Sequence, residues 1–214
     1  MTKEPILIKN SIRNSTPYKY WSFAKSFWYW NKRGYAAPSP NSVKQSCLIR
    51  NGVPNAIWVE TGTYLGTTTL ELSKHALFVY SIEPSPTLFT NAKNHFFKFD
   101  NVEIINGLSE NVFKTLLPKI SGNVNFWLDG HYSEGITFEG PQSTPIIDEL
   151  FLISQHLANF DKITICVDDV RCFDPSREFS AYPSVDFLVN WARENNLSWH
   201  IEHDIFFAKN HKIV

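Results

Sequence analysis

The run Ala56-Ile57-Trp58-Val59-Glu60-Thr61-Gly62-Thr63-Tyr64-Leu65-Gly66-Thr67-Thr68-Thr69 decides how this chain folds. Its opening residues are apolar up to an acid and fit a buried strand. Thr67 to Ala76, with Leu70, Leu72 and Ala76 apolar, fits a helix packed on that strand. Gly62 and Gly66 allow close backbone approach in the turn between them, and the helix start offers N–H groups at a positive dipole end. Such a turn suits the polar or anionic end of a nucleotide-like ligand, and it also serves as a plain structural connection. It departs from the G-x-G-x-x-G spacing of dinucleotide-binding proteins, which weighs against a nicotinamide enzyme.

Downstream, strand and helix patterns alternate. Strands are predicted over 77–83, 102–105, 124–129 and 163–168, with helices over 87–97, 110–117, 145–157 and 184–195 between and after them. Two short strands, 199–201 and 205–208, close the chain. Apolar strands alternating with helices predict an α/β fold of the Rossmann-like, doubly wound kind. Its seven-stranded sheet should be mostly parallel, with an antiparallel strand near the C-terminus, helices on both faces and ligands at the carboxyl ends of the strands.

Upstream lies a different text. Pro5 to Val59 contains no Asp or Glu but eight Lys and Arg, so with a net charge of −1 and residues 1–4 neutral, residues 60–214 carry −9. Within the basic front, Tyr20, Phe23, Ala24, Phe27 and Trp30 recur at helical spacing after Pro17, and Gly34, Pro38 and Pro40 end the segment. We divide the single domain into a basic aromatic helical arm, 1–40, and a Rossmann-like body, 41–214, whose residues 41–51 form a short helix. The arm reads as an amphipathic helix packed on the body or on a second copy of the chain. It also reads as a platform for an anionic or sugar-bearing substrate, and aromatic plus basic residues suit a membrane surface.

The 43% hydrophobic and 19% charged fractions are those of a globular protein. The sequence holds no run of about 20 apolar residues for a membrane span and no apolar leader, so the expected location is the cytoplasm. Cys47, Cys166 and Cys172 form no C-x-x-C pair, which argues against a disulfide framework and a thiolate zinc site. The acidic body argues against a long nucleic acid as partner, leaving a small molecule or glycan.

Acids mark the predicted strand ends: Glu60, Glu83, Asp129, and Asp168 with Asp169. Glu83 follows Glu60 by the interval at which an acid reaches ribose hydroxyls. Carboxylates converging from adjacent strands repel unless a cation or shared proton offsets them, and hard oxygen ligands suit Mg²⁺ or another divalent cation. The Glu60–Thr68 run, Tyr80-Ser81-Ile82-Glu83, Trp127-Leu128-Asp129-Gly130-His131-Tyr132-Ser133 and Val167-Asp168-Asp169 together resemble a class I S-adenosylmethionine-dependent methyltransferase. The last two stretches resemble the divalent-metal-dependent O-methyltransferases of the catechol and macrocin types.

The resemblance implies that Glu60, Thr61, Gly62, Thr63, Tyr64, Gly66, Thr67 and Thr68 hold the methionine part of S-adenosylmethionine. It implies that Glu83 holds the ribose, with Asp129 nearby. It also implies that Asp129, Asp168 and Asp169 hold the metal. The chain departs from the family in having Gly107-Leu108-Ser109 where an adenine-side acid is common, leaving Leu108 and Ser109 for adenine. It also lacks the lysine common just after the first metal acid. The implied reaction is methyl transfer to a hydroxyl, with metal lowering the acceptor's pKa and His131 or Asp129 as catalytic residues. A sugar or glycan acceptor is the first reading and a small phenolic the second. A non-catalytic cofactor-binding protein and an iron-dependent oxygenase on the same scaffold stand as readings of other classes, and a homo-oligomer is compatible with the arm.

Overall fold

A computed structural model describes residues 16–129, 144–176 and 182–212. After helix α1 (Thr16–Lys32) and helix α2 (Asn41–Asn51) the chain alternates as read. The succession is β1 (Ile57–Thr61), α3 (Thr67–Ser73), β2 (Phe78–Glu83), α4 (Pro86–Phe96), β3 (Val102–Asn106), α5 (Ser109–Leu116) and β4 (Gly122–Leu128). Then come α6 (Ile146–Ser154), β5 (Phe160–Val167), α7 (Val185–Glu194), β6 (Ser198–Glu202) and β7 (Ile205–Lys209). The seven strands form one sheet in the order β3-β2-β1-β4-β5-β7-β6. β1 to β5 pair in parallel, and β7 runs antiparallel to both β5 and β6. The order reverses between β1 and β4, so the crevice where doubly wound sheets take ligands opens over Thr61 and Leu128.

Strand alternation sends neighbours to opposite faces and explains the two cores. Val59, Phe126, Ile165 and Val167 join the larger one under α5, α6 and α7. Trp58, Trp127 and Cys166 turn the other way, against Cys47 and Leu48 of α2 and Leu72 of α3. Both faces are covered, as the apolar strands required.

The expected aromatic stripe of α1 packs only at its C-terminal end. Trp30 is buried and meets the His203 ring at 5.7 Å, while Phe23 is 51% exposed. Trp21, Trp28 and Tyr29 are also exposed, with Lys25 over the Trp21 and Tyr29 rings and Lys32 over Trp28. Among the described residues no helix is long and apolar enough to cross a membrane.

Candidate active site

The amides of the turn after β1 are tied to the end of β2. The Gly62 and Thr63 amides donate to the Ile82 carbonyl, and the Tyr64 amide donates to Glu83 Oε2 at 2.8 Å. These three N–H groups are therefore spent inside the protein, and the turn offers close approach rather than free donors. Gly62 and Gly66 take positive φ, 89° and 72°. Glu60 points inward: its Oε2 accepts from Thr69 Oγ1 at 2.5 Å and Ser81 Oγ at 2.6 Å, tying β1 to α3 and β2. Burial pushes the Glu60 carboxyl up to about 7, against the two hydroxyls that favour its charge. Thr67 and Thr68 begin α3, the first exposed and the second half-buried.

Glu83 ends β2 with Oε2 on the Tyr64 amide and Oε1 on the Ser85 amide at 2.9 Å. Burial raises its pKa, and the two amides oppose the rise. Each oxygen keeps a second lone pair for a ligand hydroxyl. Leu108 and Ser109 lie one strand further out, after Gly107 and at the start of α5. They are half-buried and buried respectively.

Asp129, Asp168 and Asp169 do converge, with carboxylate oxygens within 4.8 Å of one another. The Asp129 amide donates to the Thr61 carbonyl, and the Asp168 amide to that of Leu128, so the sheet itself aims them. Asp169 sits in the left-handed region at φ 55°, the turn that brings its carboxylate beside that of Asp168. Lys44, from α2, lies between them. Its ammonium donates to Asp168 Oδ1 at 2.6 Å, Asp168 Oδ2 at 2.7 Å and Asp169 Oδ1 at 3.0 Å. Arg171 Nη1 donates to Asp169 Oδ1 and to Asp204 Oδ2. Burial and the Asp129 and Asp169 charges push Asp168 up, while the Lys44 ammonium pulls it back. Burial alone would lower Lys44, and the two aspartates outweigh it and raise it.

No protein-family model and no curated protein matches the sequence. Among solved structures, a candidate methyltransferase from Streptococcus mutans in complex with SAH is similar with a TM-score of 0.51 at 16% identity. That match covers 81% of this chain and 98% of the other. The 23S rRNA methyltransferase ErmE reaches 0.50 at 13% identity, over 81% of this chain and 69% of its own. The chain has the class I methyltransferase fold. At these identities the likeness establishes the fold alone.

On that fold, two residues near the acids were not among those read from the sequence, and both had left a trace in it. Lys44 and Glu149 are the charged members of inward-facing stripes, Lys44-Cys47-Leu48-Asn51 on α2 and Ile146-Glu149-Leu150-Ile153 on α6. A charged residue on a buried stripe needs a partner across the core. Glu149 lines a small cavity of about 10 Å³, roughly one water molecule, together with Asp129, Asp168, Thr144, Phe173 and Tyr182. Its Oε1 makes no hydrogen bond, although the Ser109 and Thr61 hydroxyls lie near enough to act on its charge. Burial dominates and pushes the Glu149 carboxyl up to about 7. His131 lies outside the described residues.

Glu149 predicts a pH dependence. Below its ordinary value of 4.5 both the folded and unfolded states are protonated, and its stabilising effect is complete. As pH rises towards about 7 the unfolded state ionises first, and that stability is lost. Glu149→Gln should therefore gain on the wild type between pH 5 and pH 8 by on the order of 3 kcal/mol. Thermal unfolding at both pH values reads this directly, and parallel shifts in the two proteins would refute it.

Proposed function

We propose that the chain transfers a methyl group from S-adenosylmethionine to a substrate oxygen, with a sugar or glycan hydroxyl as acceptor. The observation that carries this reading is the placement at the crevice of the sheet. Gly62 and Gly66 open the turn over β1, Glu83 ends β2 beside it, and Asp129 stands across from them after β4. Glycines with positive φ and an acid with spare lone pairs fit a ligand that carries a diol and a zwitterionic chain. When bound, that cofactor would supply an electrophilic methyl group. Glu83 would bind the ribose, with Leu108 and Ser109 on the adenine side.

The chain's own residues then have to hold the acceptor oxygen and take its proton. Asp129, Glu149 and Asp168 are the described carboxylates on the cavity beside the crevice, Asp168 being held by Lys44, and His131 is the imidazole nearest Asp129 in sequence. The exposed rings and lysines of α1 favour a sugar-bearing acceptor, since rings stack on sugars and lysines meet attached anions. A phenolic acceptor is the second reading. Three aspartates are a suitable donor set for Mg²⁺, but Lys44 already holds the position between two of them, and we derive no step through a metal.

Calorimetric titration with S-adenosylmethionine tests the cofactor assignment. Micromolar binding to the wild type is expected, with at least a tenfold loss in Glu83→Ala, about 1.4 kcal/mol or more. No binding at millimolar cofactor would overturn the assignment. Transfer of a labelled methyl group to a panel of sugars and phenols then separates the two acceptor classes.

A further inference from the structure

We infer that Lys44 is the resident cation of the three-aspartate cluster, and that this site is built around an ammonium group rather than a divalent metal. As a statement about catalysis the inference rests on the methyl-transfer reading. As a statement about the site it can be tested without cofactor or acceptor.

The first argument is occupancy. An ammonium has three N–H bonds, and Lys44 spends them on Asp168 Oδ1, Asp168 Oδ2 and Asp169 Oδ1 at 2.6, 2.7 and 3.0 Å. Asp168 Oδ1 also accepts the Asp169 amide at 2.7 Å, and Asp169 Oδ1 also accepts from Arg171. A divalent ion binding Asp168 and Asp169 at roughly 2.0–2.6 Å, the range of Mg²⁺ and Ca²⁺ bonds to oxygen, would have to displace these donors or share Asp168 with the ammonium.

The second argument is that the lysine has nowhere to go. It is 8% exposed and rises from the stripe of α2 that packs Cys47 and Leu48 into the core beneath the sheet. An ammonium pushed off the carboxylates would stay desolvated within a few ångströms of the incoming dication. Like charges at that distance in a low-dielectric interior repel strongly.

Charge alone would not decide the matter. Among the described residues Lys44 and Arg171 face four acids, Asp129, Asp168, Asp169 and Asp204, so these six side chains carry more acids than bases. That surplus would favour any cation, and a sulfonium is one. What works against a dication is that Asp168 Oδ1 and Asp169 Oδ1 each already accept two hydrogen bonds and that the ammonium sits on both oxygens of Asp168. Lys44 is then a positioning residue, fixing the Asp168 carboxylate through both oxygens.

The test uses Mn²⁺ alone, followed by electron paramagnetic resonance of the free ion and by thermal unfolding. Wild type should leave Mn²⁺ free and show no change in Tm on its addition. Lys44→Met, which removes the ammonium and keeps an apolar stem, should bind one Mn²⁺ per chain at least about tenfold more tightly and recover Tm with it. If Lys44→Met does not fold, Lys44→Gln carries the same comparison. Stoichiometric Mn²⁺ binding by the wild type, lost in Asp168→Asn, would overturn the inference. So would a folded Lys44 variant that gains no Mn²⁺. Neither result bears on cofactor binding, which the S-adenosylmethionine titration settles separately.

Discussion

Arg171→Leu should lower Tm by roughly 10 °C, because removing one partner of a buried ion pair costs about 3–5 kcal/mol and each kcal/mol moves a domain of this size by about 2–4 °C. The side chain joins two carboxylates that have little access to water, since the Asp169 and Asp204 side chains are 6% and 4% exposed. Asp204 in turn ends the two-residue turn between β6 and β7, where His203 and Asp204 both take positive φ, 49° and 69°. Such turns usually use Asn or Gly, and a His-Asp pair needs outside support. The support is visible. Asp204 Oδ1 accepts the Arg171 amide at 2.9 Å, and its carbonyl accepts the Val170 amide at 3.0 Å. Arg171→Leu leaves the hairpin held by these two backbone amides, with Asp204 stripped of its base and Asp169 left to Lys44. Arg171→Lys, which keeps the charge without the planar fork, should recover part of the loss. A Leu variant that unfolds with the wild type would mean that water replaces the guanidinium freely.

Gly66→Ala should cost about 2–5 kcal/mol and remove most of the cofactor affinity. Gly66 caps the start of α3 in the left-handed region at φ 72°, which costs a residue with a Cβ about 1–2 kcal/mol. The added carbon would also lie 2.8 Å from Cε2 of Phe96, a ring that is itself 3% exposed and packed against His95 and Phe99. Relieving that overlap costs roughly 1–3 kcal/mol more. The turn would shift, and with it the Tyr64 amide on which Glu83 rests. Gly34→Ala is the control. That glycine has φ 61° but open space around it, so only the conformational term should be felt. Chemical denaturation of the two variants, read with S-adenosylmethionine calorimetry, separates strain from steric overlap. Equal losses in both would sink the packing argument.

The fold was legible because its signals are local. Apolar strands ending in acids, separated by amphipathic helices, dictate a doubly wound sheet whatever the distant contacts are. The differences sit at element ends. β5 starts at Phe160, three residues before the predicted strand, and α6 stops at Ser154, short of the predicted end at Leu157. The convergence of Asp129, Asp168 and Asp169 followed from neighbouring strand ends and was legible for the same reason. The partner of those acids was not. In sequence Lys44 was one of eight positive charges of a basic front, and its meeting with Asp168 spans 124 positions. Arg171 pairs locally with Asp169, but its second partner, Asp204, belongs to a turn that no spacing connects to β5. Glu60 was legible as a strand-end acid, while its inward direction depends on hydroxyls of Thr69 and Ser81 brought in by α3 and β2.

The Lys44 contact also has a bearing on how the molecule assembles. Closing a loop of that length loses chain entropy before any contact rewards it, so the ammonium can reach Asp168 only after the intervening strands are in place. During synthesis α2 leaves the ribosome long before β5 exists, and until then its lysine has neither Asp168 nor Asp169 to meet. The same pair that organises the acidic site therefore rewards a late stage of folding rather than the first. Partly folded chains should keep α2 loosely attached, and amide exchange in α2 should report the docking of β5.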